Sequence, residues 1–247
     1  MDKQIYILGI GHSTPLFIEI AEACGYLIGG LYHFNSEKTG DYDHGYKVLG
    51  SFEDLFLSDL SGKFFLLTMG DIGIKEQLLK KIIGKGGHVP TLIHPTAIIS
   101  RFSKISNTGV VVGALTEIQN DVVINRNVTI WTNVVICHNS EIEENCFIGP
   151  KALVGAYIHV ERNAFIGQAS VLVSGKVDIV GAGSIIGAGS IVIKPVGSNV
   201  IVAGNPAQVI RKLRRHHSEC RRLYTYLHRS AGCHSFCDFS GDRGTYF

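Results

Sequence analysis

A step of six residues runs through the middle of this 247-residue chain and constrains its fold more than any other feature. Ten consecutive positions at that step are aliphatic: Ile118, Ile124, Ile130, Ile136, Ile142, Ile148, Val154, Val160, Ile166 and Leu172. Two residues before most of them stands a small or β-branched residue: Val122, Val128, Val134, Ser140, Cys146, Ala152, Ala164 and Ser170. A period of six fits neither an α-helix nor a long alternating strand. An unbroken run of ten also argues against a β-sandwich with coincidental spacing.

Hexapeptide repeats predict a parallel β-helix, in which three short strands form one triangular coil and the aliphatic residues point inward. The ladder continues at both ends, with rungs at Ile99, Ile105, Val111, Ile179, Ile185 and Ile191. This gives about five coils. The 29 glycines fit the tight corners of such coils. The outer faces stay apolar at Val123, Val134 and Val135, so we expect prisms to pack side by side as a homotrimer.

The chain before the ladder has a different pattern. Apolar runs at 4–10, 26–31 and 63–68 alternate with helical patterns at 16–25 and 71–83, which predicts a small parallel-sheet domain. The expected fold class is an α/β N-terminal Rossmann-like domain followed by a left-handed parallel β-helix of hexapeptide repeats. We place the domains at 1–88, 89–212 and a basic, mobile extension at 213–247.

Charge and hydropathy exclude several classes of partner. Residues 201–247 carry eight Lys or Arg and three Asp or Glu, whereas the rest of the chain has an acidic balance, so no nucleic-acid partner is expected. No apolar run approaches the roughly 18 residues of a membrane span, so we expect no membrane insertion. The first residues lack a signal-peptide pattern and the six cysteines are scattered. Reduced thiols and a cytoplasmic location follow as expectations.

Cysteine and histidine residues near the C-terminus invite a zinc interpretation. The candidate ligands are Cys220, His228, Cys233, His234 and Cys237. Zinc sites combine two close-spaced ligand groups, and Cys233-x₃-Cys237 supplies one. We therefore predict no metal site.

Four motifs, read in chain order, resemble a known family. They are YILGIG near the N-terminus, LIHPTAIIS before the ladder, CHNSEIEENCFIGP within it and AGNPAQVIRK at its end. Together with the six-residue period, over residues 3–212, they resemble bacterial hexapeptide-repeat sugar O- and N-acetyltransferases. That family includes sialic-acid O-acetyltransferases and nucleotide-amino-sugar N-acetyltransferases. The resemblance implies acetyl-CoA as cosubstrate and a sugar or nucleotide sugar as substrate.

The resemblance assigns the catalytic base to His138, since an imidazole titrates near neutral pH. The alternative is a surface histidine without a role. Relatives place a carboxylate beside this histidine, where this chain has Asn139. An amide oxygen can accept from the ring N–H but supplies no charge. Glu141 or Glu143 is a candidate substitute.

The resemblance also implies a cosubstrate site on the coils that follow. The backbone amide of Gly155 or Ala156 would bind the thioester oxyanion, and Lys194 would contact the phosphates of CoA. The pantetheine arm would be lined by Gly167, Gly187 and Ala188. The alternatives are corner geometry for the small residues and a solvated side chain for the lysine.

For the sugar substrate, the glycine turn of the N-terminal domain resembles a phosphate-binding loop. Its residues are Gly9, Gly11, His12 and Ser13. The acidic pair of relatives falls at His33 and Phe34, which leaves the nucleotide open. Trp131 would either stack on a pyranose face or pack against a neighbouring subunit.

The function expected from these residues is transfer of an acetyl group to the amine of a nucleotide-linked amino sugar in surface glycan biosynthesis. One alternative is O-acetylation of a sugar hydroxyl, as in the sialic-acid enzymes. Another is a catalytically weakened scaffold, which the asparagine at 139 would explain.

Overall fold

Residues 3–213 are described by the structure, a computed structural model, and they belong to one compact unit. The basic extension and the five candidate zinc ligands predicted within it lie outside the described residues. None of the helices formed by residues 3–213 has the length and hydropathy needed to cross a membrane. The thiols of Cys24, Cys137 and Cys146 are free.

The N-terminal region forms one sheet with helices. Its strands are β1 (Lys3–Leu8), β2 (Tyr26–His33), β3 (Tyr42–Asp43), β4 (Tyr46–Ser51) and β5 (Phe64–Leu67), in the order β3-β4-β2-β1-β5. All neighbours are parallel except β3 and β4, which form an antiparallel hairpin. The helices are α1 (Thr14–Ala23), α2 (Phe52–Leu57) and α3 (Ile72–Gly84). The three strands and two helices predicted here are present, whereas the hairpin and α2 were not predicted.

Local signals account for where these helices begin. α1 carries a proline in its first turn, where a missing N–H costs no hydrogen bond. α2 begins with a capping box between Ser51 and Asp54. The carboxylate of Asp71 caps α3 by accepting from the backbone N–H of Ile74 at 2.8 Å.

Between residues 92 and 213 the regular elements are short strands. In chain order they are β6 (Leu92–Ile93), β7 (Ile98–Ile99), β8 (Lys104–Ile105), β9 (Val111–Val112), β10 (Glu117–Ile118), β11 (Val123–Ile124), β12 (Thr129–Ile130), β13 (Val135–Ile136), β14 (Glu141–Ile142), β15 (Phe147–Ile148), β16 (Leu153–Val154), β17 (His159–Val160), β18 (Phe165–Ile166), β19 (Val171–Leu172), β20 (Ile179–Val180), β21 (Ile185–Ile186), β22 (Ile191–Val192), β23 (Val200–Gly204) and β24 (Ala207–Lys212).

From β6 to β22 every third strand joins the same sheet, and β23 and β24 then extend the sheet that contains β21. We call these sheet I (β6, β9, β12, β15, β18, β21, β23 and β24), sheet II (β7, β10, β13, β16, β19 and β22) and sheet III (β8, β11, β14, β17 and β20). Apart from the final β23–β24 pair, all their pairings are parallel. Three parallel ladders visited in rotation define a three-sided β-helix, so this part of the predicted fold class is confirmed. Sheet II has six rungs and sheet III has five, where about five coils were predicted.

The prism interior follows the six-residue ladder. The ten consecutive aliphatic residues from 118 to 172 are at most 1% exposed, and the small residues two positions earlier are buried beside them. Strand after strand, the second residue points inward and the first points outward. Val134, which we expected on an outer face, is fully buried in the interior.

At both ends of the ladder, the residues that point into the prism differ from those predicted. Val112 enters the prism core, while the predicted rung residue Val111 packs on the N-terminal sheet region. The ladder therefore takes a step of seven residues between Ile105 and Val112, and not between Val111 and Ile118 as the predicted rungs imply. After Leu172 the loop 173–178 adds two residues instead of one. The predicted interior residues Ile179, Ile185 and Ile191 therefore point outward. Their places inside are taken by Val180, Ile186 and Val192.

Side chains from the N-terminal region contact the first coils directly. Lys75 of α3 donates to the hydroxyl of Thr129 at 2.7 Å and to the carbonyl of Asn127 at 3.3 Å. The ring of Phe17 in α1 meets that of Trp131 edge-on, with centroids 5.2 Å apart. These contacts tie α1 and α3 to sheet I.

Candidate active site

The predicted catalytic residues lie at the corner between sheets II and III. We call this corner II–III; it comprises residues 137–140 on one coil, 155–158 on the next and 173–178 after that. Each coil here turns through a residue with positive φ, namely Asn139 (57°), Tyr157 (59°) and Gly175 (70°). Positive φ is typical of tight turns, so each of these residues marks a sharp change of chain direction at the corner.

His138 and Asn139 are joined by a hydrogen bond between imidazole Nδ1 and the amide Oδ1 at 2.9 Å. An amide oxygen can only accept, so the neutral imidazole carries its proton on Nδ1. The lone pair is then on Nε2, which is the arrangement a general base needs. The asparagine thus orients the ring without supplying a charge.

Further contacts fix the backbone and the ring of His138. Its N–H donates to the side-chain oxygen of Gln119 at 3.1 Å, and its carbonyl accepts from the N–H of Tyr157 at 3.2 Å. The rings of His138 and Tyr157 lie 5.3 Å apart at 88°. The imidazole is half-buried and is therefore accessible from one side.

The two glutamates considered as substitutes for a carboxylate have other partners. Glu141 accepts from the side chain of Asn125 at 3.1 Å, and Glu143 bonds to Nε2 of His159 at 2.9 Å. Burial acts to raise the pKa of Glu143, but hydrogen bonds from the Arg162 N–H and from His159 outweigh it, and the pKa is lowered. Neither glutamate bonds to the imidazole of the corner II–III histidine.

Both backbone amides expected to bind an oxyanion are engaged in this structure. The N–H of Gly155 donates to the carbonyl of Leu172 at 3.0 Å, as part of the sheet ladder. The N–H of Ala156 donates to the hydroxyl of Ser174 at 2.9 Å. A ligand oxygen could reach Ala156 after rotation of the serine side chain, whereas the amide of Gly155 is committed to the fold.

The glycines assigned to the oxyanion (Gly155) and to the pantetheine arm (Gly167 and Gly187) have a reason within the fold. A Cβ on Gly155 would lie 2.6 Å from the carbonyl oxygen of Leu172, and one on Gly167 would lie 2.5 Å from that of Ile186. A Cβ on Gly187 would lie 2.8 Å from Cβ of Ala203. The alternative interpretation, corner geometry, thus explains why these positions are glycine.

The predicted cosubstrate residues fall at two different corners of one chain. Gly155 and Ala156 belong to corner II–III, and the exposed Lys194 follows the last strand of sheet II. Gly167, Gly187 and Ala188 follow strands of sheet I and so lie at the corner between sheets I and II. The fold of a single chain does not bring the two sets together.

The predicted sugar-binding loop follows β1, at the carboxyl edge of the N-terminal sheet. Gly9 has φ of 105°, and its carbonyl accepts from the hydroxyl of Thr68 at 2.9 Å. The N–H of Gly11 donates to the hydroxyl of Thr14 at 2.8 Å, and a Cβ on Gly11 would meet nothing within 4 Å. His12 is exposed and Ser13 is half-buried in the same turn.

The positions that replace the acidic pair of relatives lie at the end of β2. His33 is buried and its Nδ1 bonds to Oδ1 of Asn35 at 2.8 Å. Burial lowers the pKa of this imidazole. The neighbouring ring of Phe34 lies 4.1 Å away and is 47% exposed. A histidine and a phenylalanine thus occupy the positions where the resemblance implies two carboxylates.

Trp131 packs against aromatic side chains of its own chain. It contacts Phe17 of α1 and, at 6.3 Å between centroids, Phe147 of sheet I. The indole therefore packs within its own chain, against the N-terminal region, a role that neither predicted alternative included. Within residues 3–213, no group of three or more His, Cys, Asp or Glu side chains could hold a metal ion.

Sequence reasoning missed three residues that contact the candidate site at corner II–III, which are Gln119, Tyr157 and Ser174. The glutamine and serine act through hydrogen bonds that join successive coils, which spacing alone does not reveal. The tyrosine did leave a signal, because the six-residue step places asparagine at most equivalent positions.

The comparisons with known proteins concern the fold. No protein family model matches the chain. It is similar, over 86% of its length and 99% of the other chain, to a mutant perosamine N-acetyltransferase from Caulobacter crescentus crystallised with CoA and GDP-perosamine (TM-score 0.78, 25% identity). WeeI from Acinetobacter baumannii AYE matches over 84% and 100% (0.73, 22%).

The acetyltransferase domain of PglB from Neisseria gonorrhoeae FA1090, in complex with acetyl coenzyme A, matches over 85% of this chain and 100% of that one, with a TM-score of 0.53 and 22% identity. The fold that the chain shares is therefore one found in sugar acetyltransferases of the hexapeptide-repeat type. The resemblance predicted from the sequence motifs is confirmed.

Proposed function

We propose that this chain is an acetyl-CoA-dependent acetyltransferase that acts on the amino group of a nucleotide-linked amino sugar in surface glycan synthesis. The observation that carries the proposal is the hydrogen bond of His138 Nδ1 to Asn139, which leaves Nε2 available as a base at the edge of the prism. The likeness to a perosamine N-acetyltransferase crystallised with CoA and GDP-perosamine supports the choice of both substrates.

In the proposed reaction the neutral sugar amine attacks the acetyl carbonyl carbon of the thioester. Nε2 of His138 accepts the proton that the nitrogen loses as the C–N bond forms. The C–S bond then breaks, and the CoA thiolate leaves with the electron pair. Asn139 keeps the ring oriented throughout, and Ser174, by rotating, would release the N–H of Ala156 to stabilise the oxyanion.

We place the nucleotide sugar at the carboxyl edge of the N-terminal sheet, within a Rossmann-like domain of residues 1–88. Ligands of open parallel sheets bind outside the carboxyl ends of the strands. Gly11 supports this position. A Cβ on Gly11 would point into open space, so packing among the described residues does not explain why this position is glycine. Gly9, His12 and Ser13 border the same turn. On this proposal residues 89–212 form a left-handed β-helix.

We further propose a homotrimer, because the outer face of sheet II presents an apolar stripe. The first residues of four successive strands are half-buried aliphatics: Val135, Leu153, Val171 and Ile191. Packing of this stripe on a neighbouring prism would cover apolar surface on both. It would also bring a second chain beside corner II–III. The two sets of predicted CoA residues could then come from different protomers.

A cytoplasmic location is part of the same proposal, since the cosubstrate acetyl-CoA is supplied inside the cell. Lys194 would remain a contact for its phosphates, because an exposed ammonium on a flexible stem suits a phosphate.

The direct test is release of CoA by the purified full chain in the presence of acetyl-CoA and a panel of nucleotide-linked 4-amino sugars. We expect the wild type to release CoA and His138→Asn to lose most of the rate. His94→Asn is the matched control, because Nδ1 of His94 also bonds to a neighbouring side chain, the hydroxyl of Thr96 at 2.8 Å. Undiminished release by His138→Asn would contradict the proposal.

The nature of the product separates the remaining alternatives. Hydroxylamine cleaves an O-acetyl ester and spares an N-acetyl amide, so mass spectrometry before and after treatment distinguishes the acceptor groups. Absence of CoA release with amino sugars and hydroxyl sugars alike, in a chain that binds acetyl-CoA, would support the weakened scaffold.

A further inference from the structure

One position of the hexapeptide repeat adopts the left-handed backbone conformation in coil after coil. At a step of six, φ lies between 52° and 61° at Asp121, Asn127, Asn133, Asn139, Asn145, Lys151, Tyr157, Asn163 and Ala169. Asparagine and aspartate tolerate this conformation better than other residues with a Cβ, which explains why they fill most of the column. The residue at 157 is an aromatic.

The tyrosine is costly for the fold at this position. A bulky side chain with positive φ is a backbone outlier, and such strain persists where other interactions require it. Burial does not compensate the strain, because Tyr157 is 67% exposed. Strained residues of this kind concentrate at functional sites.

The contact that distinguishes Tyr157 is with the proposed base. Its N–H donates to the carbonyl of His138 at 3.2 Å, as other residues of the column donate to the coil before. Its ring, in contrast, stands perpendicular to the imidazole at 5.3 Å, a contact that an asparagine could not make. Rotation of a histidine ring about its second torsion is soft. The hydrogen bond to Asn139 determines which nitrogen of the His138 ring carries the proton. The ring of Tyr157, perpendicular to the imidazole, restricts rotation of the imidazole plane.

We propose that Tyr157 is a positioning residue for acetyl transfer, whose ring holds the plane of the His138 imidazole so that Nε2 stays directed at the acceptor amine. This inference rests on the proposed function. The ring, and not the phenol hydroxyl, carries the role, so phenylalanine should replace it and asparagine should not.

The variant Tyr157→Asn removes the ring and keeps a residue suited to the left-handed conformation, so it should fold with an equal or higher Tm. We expect kcat/KM for the acceptor to fall about tenfold, as for a misplaced catalytic group, with KM for acetyl-CoA unchanged. Tyr157→Phe should retain wild-type kinetics. Leu115→Asn is the matched control, since Leu115 is also exposed and apolar with positive φ, and should raise Tm without changing kcat/KM.

A spectroscopic measurement tests the same claim without any turnover. Nitrogen-15 NMR of the histidine side chains, with the His138 signal assigned through His138→Asn, should give one Nδ1–H tautomer in the wild type and in Tyr157→Phe. In Tyr157→Asn the imidazole plane is free to rotate, so the hydrogen bond to Asn139 should form only part of the time and the spectrum should show a mixture of tautomers. An unchanged His138 signal in Tyr157→Asn, or unchanged kcat/KM, overturns the inference. If the wild type transfers no acetyl group, the proposed function fails and the spectra still decide the role of Tyr157.

Discussion

The ammonium group of Lys75 donates a hydrogen bond to the hydroxyl of Thr129 at 2.7 Å and thereby joins α3 to the first coils of the β-helix. The side chain is buried, and that burial lowers its pKa from 10.5 to about 7. A lysine in this setting makes the stability of the junction depend on pH.

The stability of the chain should rise with pH above neutrality because of Lys75. Between pH of about 7 and 10.5 the unfolded chain keeps the lysine proton while the folded chain releases it, so raising the pH favours folding. Relative to Lys75→Met, the wild-type free energy of unfolding should increase by about 2 kcal/mol from about pH 7 to pH 9. Urea denaturation of both proteins measures this. Lys80→Met, an exposed lysine of the same helix, should follow the wild type; parallel curves for Lys75→Met and wild type would contradict the prediction.

Replacing Asn139 by aspartate should increase the rate of acetyl transfer. The carboxylate would keep the hydrogen bond to Nδ1 and would stabilise the imidazolium by charge, which the amide does not. Asp121 holds φ of 58° at the equivalent place one coil earlier, so aspartate fits this backbone. We expect kcat to rise about tenfold, and the acid limb of the pH–rate profile to move to higher pH. Asn133→Asp, at another corner with φ of 57°, is the control and should leave both unchanged.

A charge on the outer face of sheet II should dissociate the proposed trimer. Leu153 begins β16, in the middle of the apolar stripe, and Leu153→Glu would place a carboxylate in the interface at a cost of several kcal/mol. Sedimentation equilibrium should then give the mass of one chain instead of three. Ile179→Glu, the corresponding change on sheet III, should leave the wild-type mass, and a trimeric Leu153→Glu would show that another face is used.

Replacement by alanine should destabilise the chain at Gly167 and leave its stability nearly unchanged at Gly11. Gly167→Ala should lower the free energy of unfolding by about 1–3 kcal/mol, because the new Cβ would lie 2.5 Å from the carbonyl oxygen of Ile186.

Gly11→Ala should change the free energy of unfolding by less than about 0.5 kcal/mol. Its Cβ would enter the space proposed for the nucleotide sugar and should weaken binding by about 1 kcal/mol in calorimetry. Equal affinities for wild type and Gly11→Ala would place the ligand elsewhere.

The sequence predicted the prism well because its interior repeats at a fixed step. Each inward position must be apolar, and each position two residues before it must be small, so the pattern is visible without tertiary information. The step failed where loops absorb extra residues, as after Leu172, because one or two added residues shift which isoleucine or valine points inward.

Less of the site was predictable, because its chemistry depends on contacts between coils. His138 and Asn139 are neighbours in the sequence, so a hydrogen bond between their side chains could be predicted from it. The engagement of the Ala156 amide by Ser174 depends on residues 18 positions apart. The same is true of the junction, where no local pattern distinguishes the buried Lys75 from the exposed lysines of α3.

Inward-facing side chains stabilise the prism, whereas outward-facing side chains at a corner determine what that corner can bind. A side chain that leaves an edge touches only its nearest neighbours along that edge, so exchanging it leaves the stacked aliphatic column intact. New acceptor preferences can therefore arise in such a molecule by single replacements along one edge, with the spacing between successive groups already set by the rise of each coil.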